Sequence, residues 1–309
     1  MRIPASKQLR LYYNPYSYSS QKVLIALHEK NLSFQSYIID VTKSKQYDKW
    51  FLQISPNGEI PVLQDGNRII THARNIINYL DEWHTTELNT ELFPKDLETI
   101  KKATHFRNII DEIPITILTV GSFIHKISIE DPKPPFTWSI IQYIINGEKQ
   151  ASTYVHKKAE LYPEFRGSLL NKAVYLKSQH DQIVNFQEFK KIITNCHDVF
   201  DQIEAELSTN SVAKKEFWLI NETFTTVDIS LSVLLERIYN IGISKLFWGN
   251  GKRPNLAKYF ERVRKRTSFQ KSMPTRLMNF QMMYGLKVCL AYITGLTCTL
   301  GVMLSKRYK

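Results

Sequence analysis

Two turn signals, Pro56-Asn57-Gly58 and Asp65-Gly66-Asn67, bracket the run EIPVLQD, and this spacing constrains the first eighty residues more than any other feature. A short apolar run between turn residues reads as a strand, and RIIT, residues 68–71, reads as the next one. Upstream, residues 9–13 form a short apolar strand. SSQKVLIALHEKNL reads as a helix with serine at its start and Val23, Leu24 and Leu27 on one face. Residues 34–41 read as a second strand, QYDKWFLQI as a helical stretch, and ARNIINYLDEW as a closing helix. The order is β-α-β-α-β-β-α, followed by a chain that is helical almost to its end. The fold class is therefore α/β plus all-α, with an N-terminal α/β domain at residues 7–85 and an all-helical domain at 95–270.

With 309 residues, 43% of them hydrophobic, the chain can bury a full core, and disorder is excluded. The formal net charge of +12 suggests a nucleic-acid binder until its position is read. Residues 1–251 carry 28 basic and 28 acidic side chains, and residues 252–309 carry 13 and 1. A neutral body with a basic last fifth is not the charged face of a DNA or RNA reader, so no nucleic acid is expected. Cys196, Cys289 and Cys298 are too widely spaced for a zinc knuckle and suit a reducing compartment. The eight histidines form no metal-binding motif, so no metal is expected. Asp81-Glu82 and Asp111-Glu112 are neighbours on helices that point to different faces, and they read as surface charges. The N-terminus MRIPASKQLRLYY lacks the apolar stretch and cleavage site of a secretory signal.

The basic region flanks GLKVCLAYITGLTCTLGVML, residues 285–304, which carries one charge, Lys287. A bilayer core needs ~20 mostly apolar residues as a helix, and this segment has that length. Three glycines and three threonines would be poor choices in a buried soluble helix but are tolerated in a membrane span. A transmembrane tail anchor is therefore expected at 285–304, preceded by an interfacial helix at 273–284. Ala291, Gly295 and Thr299 repeat at i, i+4 and i+8, which gives a homodimer a close-packing face.

The element order and the run SPNGEIPVL resemble glutathione transferases, whose N-terminal domain is thioredoxin-like and whose C-terminal domain is all-helical. FTTVDISLSVLL resembles the capping box of the helical domain, with Thr225 as N-cap and Asp228 at N3. WGNGKRPNLAKYFERVRKRTSFQK, SYSSQKV and the hydrophobic C-terminus resemble one branch, the ganglioside-induced differentiation-associated proteins. That resemblance implies a tail-anchored protein of the mitochondrial outer membrane that faces the cytosol and regulates mitochondrial dynamics and redox state. Its implied partners are outer-membrane lipids and proteins of mitochondrial dynamics or the cytoskeleton. It also implies an insertion, which falls at about residues 130–190 and reads as an extra helical hairpin or a mobile loop.

By the same resemblance Pro61 is the superfamily's cis-proline, and the backbone of Ile60 meets the cysteinyl part of glutathione. In working transferases the helix after the last strand opens with an acid or glutamine and then a serine. The first holds the γ-glutamyl ammonium and the second its carboxylate. Here these positions are His72 and Ala73. Histidine offers the ammonium no fixed negative charge, and alanine has no hydroxyl. A charge-assisted hydrogen bond is worth ~1.5 to 3 kcal/mol, so the pair weakens glutathione roughly a hundredfold or more. The thiolate donor of the family maps to Ser20, with Ser19 and Tyr13 as alternatives; capping of the helix explains both serines as well. Glutathione, bound weakly, is the only cofactor or ligand implied. The alternative is an active, membrane-anchored transferase that conjugates glutathione to electrophiles.

Overall fold

The computed structural model describes residues 9–84, 91–127, 129–212 and 217–285. Strand β1 (Leu9–Tyr13) leads through helix α1 (Tyr18–Glu29) to β2 (Phe34–Ile38). One turn of helix, α2 (Lys49–Leu52), follows, then β3 (Val62–Asp65), β4 (Arg68–Thr71) and helix α3 (Ala73–Trp83). A helix between β1 and β2 lets them pair in parallel, and the tight turn with Gly66 at φ +58° makes β3 and β4 antiparallel. The sheet order is β2-β1-β3-β4, with Leu11 opposite Ser36 on one side and Leu63 on the other.

The period-2 alternation of β1 sorts its side chains between two layers. Leu9, Leu11 and Tyr13 join Val23 and Leu27 of α1 and Ile76 and Leu80 of α3, in the core shared with the helical domain. Tyr12 turns to the opposite face, against Phe51 of α2 and Val62.

Two elements are shorter than the sequence pattern suggested. β2 stops at Ile38 because Asp40 folds the chain locally, its Oδ1 accepting the Thr42 N–H at 3.1 Å and the Thr42 hydroxyl at 2.5 Å. Two 3₁₀ turns follow, with Ser44 between them at φ +55°, and α2 keeps only four residues of the expected helical stretch.

The helical domain comprises α4 (Leu97–Asp111), α5 (Ile115–His125), α6 (Trp138–Leu161), α7 (Arg166–Val184), α8 (Phe186–Val212) and α9 (Thr226–Asn240). It continues through α10 (Ser244–Phe247), α11 (Pro254–Arg264), α12 (Thr267–Ser272) and α13 (Arg276–Tyr284). Helix α9 is buried along most of its length, and its capping box is formed. The Asp228 carboxylate accepts the N–H of Thr225 and of Leu219, each at 2.8 Å, and the Tyr259 hydroxyl at 2.8 Å.

Within residues 130–190, α6 and α7 form a helical hairpin that docks on the thioredoxin-like domain. Tyr47 and Leu52 pack against Val155 and Ala159 of α6 and Leu169 and Ala173 of α7. Where the interfacial segment was expected, α13 has no fully buried residue. Among the described residues no helix is long and apolar enough to cross a membrane. The expected anchor at 285–304 lies, apart from Gly285, outside the described residues.

Candidate functional site

A cleft of about 830 Å³ opens between the thioredoxin-like domain, α4 and the α6–α7 hairpin. Its rim is built by the loop ahead of β3. Ser55 is buried, and its Oγ both accepts the N–H of Glu59 and donates to the Glu59 carbonyl, each at 3.0 Å. The Gly58 N–H closes the turn on the Ser55 carbonyl at 2.8 Å. Gly58 has φ +61°, and a Cβ there would meet the Tyr47 ring at 2.6 Å and the Gln46 carbonyl at 2.9 Å, so glycine is required on both counts. The Ile60–Pro61 peptide is cis. Ile60 lines the cleft, ahead of the ladder that begins at Val62.

The corner where the resemblance expects the γ-glutamyl group lies at the start of α3. His72 is the N-cap of α3 at φ +64°, ψ 129°, a conformation that non-glycine residues rarely adopt and that clusters at ligand sites. The helix has no side-chain cap, so its positive pole still favours an anion. The side chains are altered: His72 Nδ1 stands 3.5 Å from the Glu59 carboxylate, and Ala73 lines the cleft without a hydroxyl. Glu59 is itself engaged by Lys172 of α7 at 2.9 Å.

The three candidates for the thiolate donor separate. Ser19 lines the cleft in the first turn of α1. Ser20, the leading candidate, does not reach it: the residue is fully buried and its Oγ accepts the Asn14 N–H at 3.4 Å. One residue along a helix is a rotation of about 100°, enough to turn the hydroxyl from the cleft into the core. Tyr13 is likewise buried on β1, away from the cleft, and burial raises its phenol above the usual range.

The floor of the cleft gathers charged groups from α1, α3 and α4. Lys22 of α1, Arg74 of α3 and Arg107 of α4 converge on Asp111, at 2.6, 3.0 and 3.8 Å. Arg74 also donates to Asn108 at 2.9 Å, and Arg107 to Asn78 at 3.1 Å. Burial pulls the Arg107 guanidinium down to about 10, which leaves it charged at neutral pH. Burial alone would raise Asp111, but Lys22, a hydrogen bond with Ser230 and the Arg107 charge more than offset it, and its carboxyl lies below the usual range. Tyr18, whose phenol burial raises, places its ring 4.4 Å from the Lys22 ammonium.

Reading Asp111 and Asp81 as surface charges was therefore wrong. Asp81 binds the buried Lys30 at 2.9 Å and accepts the N–H groups of Leu92 and Phe93. The sequence names Asp111 but neither Lys22 nor Arg107 beside it; docking of the two domains sets Lys22 against Asp111. Among the described residues no three His, Cys, Asp or Glu side chains gather as a metal site would need.

The glutathione S-transferase N-terminal domain family matches residues 11–87, and the C-terminal domain family matches residues 146–267. The chain is 19% identical to the β-etherase LigF from Sphingobium sp. strain SYK-6, with a TM-score of 0.61 over 85% of this chain and 98% of that one. It is 18% identical to a glutathione S-transferase from Methylobacillus flagellatus solved with GSH bound, with a TM-score of 0.54 over 86% of this chain and 100% of that one. Fold and family matches together define a glutathione transferase-like protein of two domains. Within that class, human ganglioside-induced differentiation-associated protein 1-like 1 is 30% identical over 273 residues, which are 86% of this chain and 73% of the relative. The chain belongs to the ganglioside-induced differentiation-associated protein family.

Proposed function

We propose that this chain is a tail-anchored, glutathione transferase-like protein of the mitochondrial outer membrane, with its folded domains in the cytosol and weak or no transferase activity. Its role is to regulate mitochondrial shape, division and redox state through lipids of the outer membrane, proteins of mitochondrial dynamics or the cytoskeleton, and a second copy of itself. The observation that carries the loss of activity is the γ-glutamyl corner. His72 and Ala73 stand at its two ligand positions, and the neighbouring Glu59 carboxylate is held by Lys172. The address is supported by family membership and by the apolar run 285–304 between basic residues.

A second reading, an anchored enzyme that conjugates glutathione, is favoured by Ser19. Its hydroxyl remains on the cleft at the N-terminal end of α1, where a thiolate would be stabilised. Conjugation of glutathione to 1-chloro-2,4-dinitrobenzene by the full chain separates the two. The expected rate equals the uncatalysed background. Turnover that disappears in Ser19→Ala would establish the enzyme instead.

A further inference from the structure

We infer that Glu236 is a proton-dependent latch between α9 and α13: while Glu236 carries a proton, α13 is held on the body, and when Glu236 ionises, α13 loosens. The inference goes beyond the cleft and does not depend on what the cleft binds.

The geometry comes from a second cavity, of about 70 Å³, which shares no lining residue with the cleft. It is bounded by Tyr16 ahead of α1, by Glu236 near the end of α9, and by Met273, Pro274 and Asn279 at and just before α13. Glu236 is only 9% exposed. Three of these residues bury an oxygen that has no hydrogen-bond partner: the Tyr16 hydroxyl, Glu236 Oε2 and Asn279 Oδ1. Buried polar atoms are nearly always satisfied, so three around one small cavity mark a missing hydrogen. Glu236 Oε2 and Asn279 Oδ1 are both acceptors, one on α9 and one on α13. A proton on the carboxyl is the donor that this pair lacks.

The charges packed around Glu236 do not supply that donor. Asn240 Nδ2 donates to the other carboxylate oxygen, Oε1, at 3.1 Å. Arg237, the next residue of α9, donates to the Tyr16 carbonyl at 2.7 Å. Arg264, at the end of α11, stands with its Nε 3.9 Å from Oε2, beyond hydrogen-bond distance, and its guanidinium lies over the Tyr239 ring at 4.6 Å. Lys133 lies over the same ring at 5.5 Å and pairs with Asp131. The Tyr16 phenol, pushed up to about 12 by burial, stays neutral. The residues of the α13 side that line the cavity carry no charge. Burial therefore raises the Glu236 carboxyl above the ordinary range, against the opposing pull of Arg264, the Asn240 hydrogen bond and Arg237.

The hold on α13 is light enough for one proton to matter. The helix has no fully buried residue, and Leu277 and Tyr284 are more than half exposed. A segment with so little buried surface opens locally, without the rest of the fold. It is also the last described element before the apolar run 285–304, so the latch sets how firmly the body holds the chain that leads there. The sign follows from the raised carboxyl. Docked α13 binds the proton more tightly than free α13, so docking is strongest below the ordinary 4.5 of a glutamate and weakens as the pH rises through the docked value.

The test is amide hydrogen exchange of the full chain in micelles of an uncharged detergent, from about pH 5 to about pH 8.5, with each rate divided by its intrinsic chemical rate. Protection of α13 is expected to fall about tenfold across this range while that of α4 stays level. Glu236→Gln keeps a donor at every pH and should make α13 protection high and flat. Asn279→Leu removes the acceptor on α13 and should lower α13 protection at pH 5 to its level at pH 8.5, with the melting transition of the body intact. Should Glu236→Gln fail to fold, Asn279→Leu decides the matter by itself. Protection of α13 that is flat with pH in the parent, that falls equally in Glu236→Gln, or that is unaltered by Asn279→Leu would overturn the latch.

Discussion

Lys172, on the hairpin helix α7, places its ammonium 2.9 Å from the carboxylate of Glu59, two residues before Pro61. An ammonium from the protein's own insertion thus sits on the acid beside His72. The hairpin is held at the cleft rim by further ties, from the Tyr143 hydroxyl to the Thr42 carbonyl and from Lys49 to Glu164 at 2.7 Å.

Lys172→Met should loosen that docking without unfolding the protein. Partly exposed pairs are worth about 0.5–1 kcal/mol, so global stability should fall by no more than that. Amide exchange in α6 and α7 should quicken while that of α9 stays unchanged. Unaltered protection of α7 would show that the ion pair contributes nothing to hairpin closure.

Asp111 should govern the acid limit of the interdomain cleft. Its carboxyl is held below the ordinary 3.8, with burial opposed by Lys22 and Arg107. A depressed carboxyl contributes stability above its unfolded value and loses it as the pH falls through the lower folded value. The difference in unfolding free energy between the parent protein and Asp111→Asn should be about 3 kcal/mol near pH 7. It should stay constant down to about pH 5 and shrink as the pH falls below ~3.8. Denaturant melts across this range check it, and a difference that grows in acid would reverse the assignment.

Asp228 should be among the most sensitive core positions. It is fully buried and accepts from Leu219, Thr225 and Tyr259. Asp228→Ala strands four buried donors, the N–H groups of Leu219 and Thr225 and the hydroxyls of Thr225 and Tyr259, so a loss of roughly 3–5 kcal/mol is expected in chemical denaturation. A loss under 1 kcal/mol would mean that water replaces the carboxylate there.

The sheet was legible because its signals are local. Pro56-Asn57-Gly58 and Asp65-Gly66-Asn67 mark turns by their own backbone preferences, and Leu9, Leu11 and Tyr13 alternate with Tyr12 over five residues. That His72 and Ala73 open α3 was also legible, since it needs only residue identity and position in the pattern. The cleft floor was not. Lys22 and Asp111 are 89 residues apart, and nothing in either helix alone distinguishes a carboxylate facing solvent from one facing another domain. Which of Ser19 and Ser20 faces the cleft was not legible for a different reason, because it depends on helix phase at a single residue, the least certain quantity in a sequence pattern. β2 was read too long because Asp40 and Ser44 make a turn by side-chain capping and a positive φ, which no apolar period reports.

Removing residues 285–309 should leave a diffuse, non-membrane protein whose two domains still fold. Replacing Lys306, Arg307 and Lys309 with serine should move part of the population to other membranes. The basic residues between 252 and 276 add ~1 kcal/mol each where they come close to anionic lipid. Imaging of tagged variants, with alkaline carbonate extraction, checks this. A truncated protein that stayed on mitochondria, or a full chain extracted by carbonate, would contradict the anchor.

The proposed loss of glutathione binding is tested most directly by the melting temperature of the full chain with and without millimolar glutathione, compared with His72→Glu/Ala73→Ser. A ligand at a hundred times its dissociation constant adds ~2.7 kcal/mol, or several degrees. The parent protein is expected to show no resolvable shift, and the double variant a clear one. A shift of several degrees in the parent, abolished by Ser19→Ala, would show that the glutathione site is intact and contradict the proposed loss.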